Sequence, residues 1–248
     1  MEHHRTRVDF LDPRVRLGAG RAHRRSAADS VAASAVRRAP QPGATAARRH
    51  LANELPVSVA ANLAVSAAPE HLRSGAAIYV YKDGIGYTLH RQGNNGFTCL
   101  VNRDGFLYGS GAFKPTCWDA NGEFSYVRVT LAVGRWLSEG VPTSEIRQLI
   151  DSGFEQGEFV APVKTGIAYM INGDLDLDVR SGRILKRVYP GHYMIYAPHI
   201  SSADLGTNQS ARESDPALPV VFAAGAGGER LSYIITMVGH VGEIVDHQ

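Results

Sequence analysis

NNGFTCLVNRDGFLYGSGAFKPTCWD, residues 94–119, carries both cysteines of the chain and its densest run of turn and strand signals, so its reading decides the fold. Phe97, Thr98, Cys99, Leu100 and Val101 form an apolar, β-prone run, and Gly93-Asn94-Asn95-Gly96 ahead of it is a turn sequence. Beyond the run lies an excursion with Gly105, Gly109 and Gly111, then Lys114-Pro115 and Cys117. Two cysteines bracketing one loop can form a disulfide, which for a loop of this length stabilises by about 3 kcal/mol through restriction of the unfolded chain. Such bonds persist in oxidising compartments. The competing reading makes Cys99 a thiolate nucleophile activated by a histidine. A nucleophile needs partial exposure and a lowered pKa, whereas Cys99 lies between Thr98 and Leu100 in a run patterned for burial. A disulfide between Cys99 and Cys117 is therefore the expectation, with a free buried cysteine as the next alternative.

Upstream, AAIYVYK (76–82) and GYTLHRQG (86–93) are two further strand-like runs separated by Asp83-Gly84. Turns of this kind between such runs predict antiparallel hairpins, so residues 76–102 are expected to form a β-meander. Before them, Leu55, Val59, Leu63 and Val65 recur among alanines near the helical period until Pro69 interrupts, which predicts a docking helix.

Residues 1–50 are a different polymer. They hold eleven arginines, no lysine and four acids, a net charge of +7, against 15 basic and 20 acidic groups, a net of −5, in the remainder. Almost without Ile, Leu, Phe or Tyr, this stretch cannot offset its ordering entropy by burial and is expected to be disordered. Pairs such as Arg24-Arg25, Arg37-Arg38 and Arg48-Arg49 could neutralise phosphates, and an Arg-rich, Ser-rich leader also fits an organelle transit peptide. No aromatic residues interleave the arginines as a single-strand-binding surface requires, so a nucleic-acid partner is not expected. An extension upstream of the native start is the simpler reading. No apolar core follows a basic start as in a secretory signal.

Downstream of residue 119, Phe124, Tyr126, Val127, Val129, Leu131, Val133, Trp136 and Leu137 give a wide apolar surface over about four turns, ended by Gly140: a largely buried helix. A second helix is expected after Pro142, with Thr143 as its cap and Ile146, Leu149, Ile150 and Phe154 at helical spacing before Gly157. Strand signals return in GIAYMI (166–171), HYMIYA (192–197), VVFAA (220–224) and LSYIITMV (231–238). The GAGGE run at 225–229 joins the last two and reads as a hairpin turn. Strands, helices and strands in that order predict an α+β fold in which a mainly antiparallel sheet, made of the N-terminal meander and the C-terminal strands, packs against a helical hairpin. Residues 51–240 are expected to be one domain and residues 241–248 a tail. No run approaches the roughly 18 apolar residues of a membrane span, and nothing signals an oligomeric state.

The candidate chemistry gathers in HYMIYAPHISSADLG, residues 192–206. In a strand, His192, Met194 and Tyr196 share one face, and Pro198 ends the strand so that His199 and Asp204 occupy the loop beyond. Two histidines and a carboxylate could ligate a metal or provide a general base with its orienting acid, and His90 could join them if its strand is a neighbour. The spacing matches no zinc signature, and the bland alternative for His192 is a hydrogen-bonded core residue. Asp174, Asp176 and Asp178 alternate as at the start of a calcium loop, but Val179 and Leu185 stand where an EF-hand demands Gly and Glu. The alternation fits a solvated strand face. No nucleophile elbow, phosphate-binding loop, H-E-x-x-H or dinucleotide fingerprint is present, so no cofactor is indicated and the metal, if any, is undefined.

Taken together, NLAVSAAPEHLRSGAAIYV (62–80), GNNGFTCLV (93–101), PTCWD (115–119), GIAYM (166–170) and HYMIYAPH (192–199) resemble a family of uncharacterised exported bacterial proteins. The resemblance covers most of residues 51–240 and implies a periplasmic or secreted location; it transfers no catalytic residue. Two functional expectations follow. The first is a non-catalytic module or small-ligand binder stabilised by one disulfide, with its pocket between the sheet and the helical hairpin. The second is a hydrolase or metal-dependent enzyme using His192, His199 and Asp204, with His90.

Overall fold

The computed structural model of the chain describes residues 54–238 apart from Pro216 and Ala224. The expected disorder of residues 1–50 and the expected tail at 241–248 lie outside the described residues. Helix α1 (Val57–Ser66) and the single turn α2 (Glu70–Arg73) come first, followed by strands β1 (Ala77–Lys82), β2 (Gly86–Arg91), β3 (Thr98–Asn102) and β4 (Lys114–Trp118). An α-helical turn at Ala120–Gly122 and a π-helical turn at Glu123–Val127 lead into α3 (Arg128–Ser138), after which comes α4 (Thr143–Glu155). The second half runs through β5 (Ile167–Met170), β6 (Asp174–Asp178), β7 (Arg183–Tyr189), β8 (His192–Tyr196), α5 (Gln209–Ser214), β9 (Val220–Phe222) and β10 (Tyr233–Met237).

Eight strands form one sheet in the order β2-β1-β3-β4-β5-β8-β10-β9, while β6 and β7 make a separate hairpin. Every pair in the large sheet is antiparallel except β1 with β3. The α+β class and the mainly antiparallel sheet are as expected. The meander is not. β1 and β2 form the expected hairpin, but β3 lies on the far side of β1 and runs parallel to it, paired through Ala77 with Thr98 and Ile78 with Cys99. The burial pattern gives the reason: all five residues of β3 are buried, so it needs cover on both faces and a partner on both edges, whereas β2 exposes Leu89 and His90 and suits an edge. The chain reaches the far side by crossing the end of β1 at Gly93, where a Cβ would collide with the Ala77 backbone, and the Asn94 N–H donates to Gly75 O at 2.8 Å.

β4 is a strand that the glycine-rich context of its sequence conceals. Its Pro115 sits opposite Val101 in the same alternation as Cys117 opposite Cys99. Residues of that parity direct their backbone nitrogen away from β3, toward β5, and β5 pairs only with Cys117 and Trp118. Proline therefore removes no ladder bond here.

The sheet separates two apolar layers. On one face, α1 packs by its alanines: Ala60, Ala61 and Ala64 are buried against Ile78, Val80 and the two cysteines, and of the expected docking residues Leu55, just before the helix, is buried while Val59, Leu63 and Val65 are only partly so. Small side chains let the helix backbone approach until Cys117 Sγ lies 3.4 Å from Ala64 O. Leu175 and Leu177 of β6 complete this layer, joined to the segment before β4 by reciprocal backbone bonds between Phe113 and Leu175. On the other face, Leu100 and Trp118 meet Val129, Val133 and Trp136 of α3 and Ile146 and Ile150 of α4. Each fully buried isoleucine there contributes roughly 1.5–3 kcal/mol.

The end of the opening stretch sets the start of the helical segment. Asp119 caps it, its Oδ1 accepting from Asn121 N at 3.0 Å and Gly122 N at 3.1 Å, while Oδ2 accepts from Ile167 N at 3.2 Å at the start of β5. Phe124, expected on a buried face, is 69% exposed because the π-helical turn shifts the phase of the residues around it. Thr143 does not cap α4; Pro142 holds that position without a side-chain bond. Close contact between α3 and β2 depends on Gly134, where any Cβ would meet the Tyr87 ring.

Candidate ligand-binding cavity

The face of the sheet that carries α3 and α4 also encloses a cavity of about 290 Å³. Its position follows from strand parity. Thr116 and Trp118 of β4, Met170 of β5, His192 and Met194 of β8, and Tyr233 and Ile235 of β10 all point to that side. Val129 and Thr130 at the start of α3 close one side, and Arg212 of α5 with Phe222 and the Gly225–Gly227 turn closes another. That volume lies at the lower end of small-molecule sites.

Its wall is aromatic and fixed by hydrogen bonds. The rings of Tyr126 and Tyr233 stack with centroids 4.4 Å apart, and Tyr126 lies equally close to Tyr196. The Tyr126 hydroxyl donates to Ser232 O at 3.0 Å and the Tyr196 hydroxyl to Ile167 O at 2.9 Å. Trp118 Nε1–H donates to the Tyr233 hydroxyl at 3.0 Å. That hydroxyl is buried, which pushes its pKa well above the ordinary phenol range, so it remains protonated. Among the described residues no acceptor meets its proton, which is free for a ligand.

The polar lining falls into three parts. Lys114 lies between two carboxylates, 3.1 Å from Asp104 and 3.8 Å from Asp174. Burial raises the pKa of Asp174 and the neighbouring Lys114 opposes the rise. The second part is His192, which is 3% exposed. Its Nδ1 lies 2.8 Å from Pro190 O, and since a carbonyl only accepts, Nδ1 carries the hydrogen. Burial lowers the imidazole pKa and Lys114 adds to the lowering, while the bond to Pro190 opposes them. In the neutral ring, Nε2 is then a lone-pair acceptor with no partner among the described residues. The third part is Arg212, whose Nε is buried and has no hydrogen-bond partner among the described residues.

Of the four residues singled out as catalytic candidates, the structure brings only His192 to the cavity. His90 lies on β2, five strand steps from β8, a distance of roughly 24 Å at about 4.8 Å per step. His199 is exposed, held in the left-handed backbone region with φ 62° by the bond from its N–H to Glu229 O at 2.8 Å. Asp204 is also exposed and serves its own turn, accepting from Ser201 N at 2.8 Å and Ser201 Oγ at 2.6 Å, bonds that lower its pKa. The shared face of His192, Met194 and Tyr196 is as expected. Among the described residues no three His, Cys, Asp or Glu side chains are grouped to hold a metal ion.

Cys99 and Cys117 face each other across β3 and β4 with Cα atoms 4.0 Å apart, and they are joined as a disulfide. The bond lies in the α1 layer, on the face away from the cavity. The thiolate reading of Cys99 is thereby overturned, since its sulfur is already bonded. The alternating aspartates divide by role: Asp174 reaches the cavity, Asp176 is exposed, and Asp178 Oδ1 accepts from Arg180 N at 3.0 Å in the hairpin turn.

The chain matches no protein-family model, no curated protein and no solved structure. The cavity itself therefore carries the functional argument. Sequence reasoning missed Asp104, Lys114, Arg212 and Tyr233. The only local sign of the first three is a charged residue beside a glycine (Asp104), before a proline (Lys114) or in a short polar helix (Arg212), and Tyr233 reads as one more core aromatic.

Proposed function

We propose that the chain is an exported bacterial protein that binds a small molecule between its sheet and its helices. The observation that carries this reading is the cavity: apolar and aromatic walls surround a few polar groups with unused hydrogen-bonding capacity, the general form of small-molecule sites. The disulfide supports export, because such bonds persist where thiols are not kept reduced, as does the resemblance to exported bacterial proteins. No helix among the described residues is long and apolar enough to cross a membrane. Of the hydrolase reading, His192 alone keeps support from the geometry; its neutral Nε2 could accept a proton, but no nucleophile stands beside it among the described residues.

Methionine methyl NMR on the full chain tests the binding reading. Met170 and Met194 line the cavity and Met237 does not. Titration with neutral bicyclic aromatics such as 2-naphthol, quinoline and 2-naphthamide is expected to shift the first two methyl signals saturably and by clearly more than that of Met237, which lies opposite His192 on the same face but outside the lining. Absence of any saturable shift, or equal shifts at all three methyls, would remove the reading.

A further inference from the structure

Resting on that reading, we infer that the cavity takes a small organic acid, with the anionic group held by Arg212 and an apolar, ring-sized body lying along Trp118, Met194 and Phe222.

Three observations support this class of ligand. Among the described residues, Arg212 contributes to the lining with a buried Nε that has no partner, and it makes no ion pair. A guanidinium presents Nε and Nη as a planar fork that matches a carboxylate, and a buried donor left unpaired is costly. A ligand that brings an anion to this position removes that cost. Next, the other cation of the cavity is already engaged, since Lys114 sits within 4 Å of both Asp104 and Asp174. An anion placed there would have to displace a carboxylate or face two of them. The acidic pair therefore directs a ligand's negative end toward Arg212, and repulsion from that pair gives the acid one orientation. Finally, the walls between these groups are aromatic or aliphatic, and the neutral His192 Nε2 and the Tyr233 hydroxyl offer one acceptor and one donor. Such a lining favours an amphipathic acid over an inorganic anion, which would leave the apolar walls facing water. It equally disfavours a polyol, which would need more polar partners than the wall offers.

The test is a matched pair of probes, 2-naphthoate and its neutral amide, 2-naphthamide, titrated by calorimetry into the full chain and into Arg212→Gln and Arg212→Lys variants. Wild type is expected to bind the acid at least about tenfold more tightly than the amide, as for a charge-assisted bond formed in a buried site. In Arg212→Gln this preference should vanish while the amide keeps its affinity within about twofold, and Arg212→Lys should retain part of it, since lysine supplies charge without the fork. Retention of amide binding in each variant shows that it is folded. Equal affinity of acid and amide for wild type, or a preference that survives in Arg212→Gln, overturns the assignment and leaves the binding cavity intact. If neither probe binds and the methionine methyls do not respond, the cavity reading fails and this inference with it.

Discussion

His192 shows how one side chain can be legible in sequence while its chemistry is not. Alternation in HYMIY predicts that His192, Met194 and Tyr196 share a face, and they do. What decides the role of the imidazole is the pair of contacts outside that alternation, Pro190 O at Nδ1 and Lys114 across the sheet. With its folded pKa lowered below the ordinary 6.5, the neutral ring favours the native state. That contribution is fully present above about pH 6.5 and is lost as pH falls through the folded value, because the unfolded chain takes up the proton first. His192→Asn keeps a donor near the Nδ1 position and does not titrate. Thermal melts between about pH 7.5 and about pH 5 should therefore show a smaller fall in Tm for the variant than for wild type. Asp174 acts with the opposite sign, since its raised pKa contributes stability that is lost as pH rises. It is common to both proteins and leaves the difference between them unchanged. Identical slopes for wild type and variant would show that the buried imidazole does not govern this window. Arg212, Lys114 and Asp104 could not be paired with His192 from sequence, because only the sheet brings their segments together.

At the scale of elements, period and turn chemistry place α3, α4, β1, β2, β5, β8, β9 and β10 within a few residues. β4 and β7 are illegible for opposite reasons. β4 is buried on both faces, so it has no alternation, and Pro115 speaks against a central strand until the register shows that its nitrogen faces no partner. β7, RILKRVY, is exposed along nearly its whole length and has no buried set to alternate. α1 reads as a leucine and valine face and packs as an alanine face, since contact with a sheet at close range selects small side chains that periodicity in large ones does not reveal. Asp119 is the residue on which two elements depend. Asp119→Ala removes the cap of the helical turn and the bond to Ile167 N together. Urea denaturation should show a loss of about 1–2 kcal/mol, with Asp119→Asn recovering at least half of it. A loss below about 0.3 kcal/mol would mean that water replaces the carboxylate at both places.

For the molecule as a whole, the disulfide acts mainly through the unfolded chain. Cys99 and Cys117 are fully buried and already opposed in register, so the native sheet needs little rearrangement to accommodate their bond. Replacing both by alanine should preserve the fold and lower unfolding stability by about 3 kcal/mol, read from denaturant midpoints at unchanged slope. Intact mass after alkylation should show no adduct before reduction and two after denaturation with reductant. Two adducts on the unreduced, denatured chain would contradict the disulfide.

The strand order of the sheet bears on how the molecule is made. Read from the β2 edge, spatial order follows chain order closely: the N-terminal strands occupy one half and β5, β8, β10 and β9 are added outward from β4. The strands that emerge first can pair β1 to β4 before the rest of the sheet, since domains form from the N-terminus as they emerge, and the cysteines can lock them once the chain is in an oxidising compartment. The cavity cannot exist at that point. Met170, His192, Met194, Phe222, Tyr233 and Ile235 all arrive later, and Tyr233 lies within the last strand. A ligand can thus meet only a finished molecule, and a chain cut before β10 would retain a cross-linked scaffold with an open β8 edge and nothing to bind.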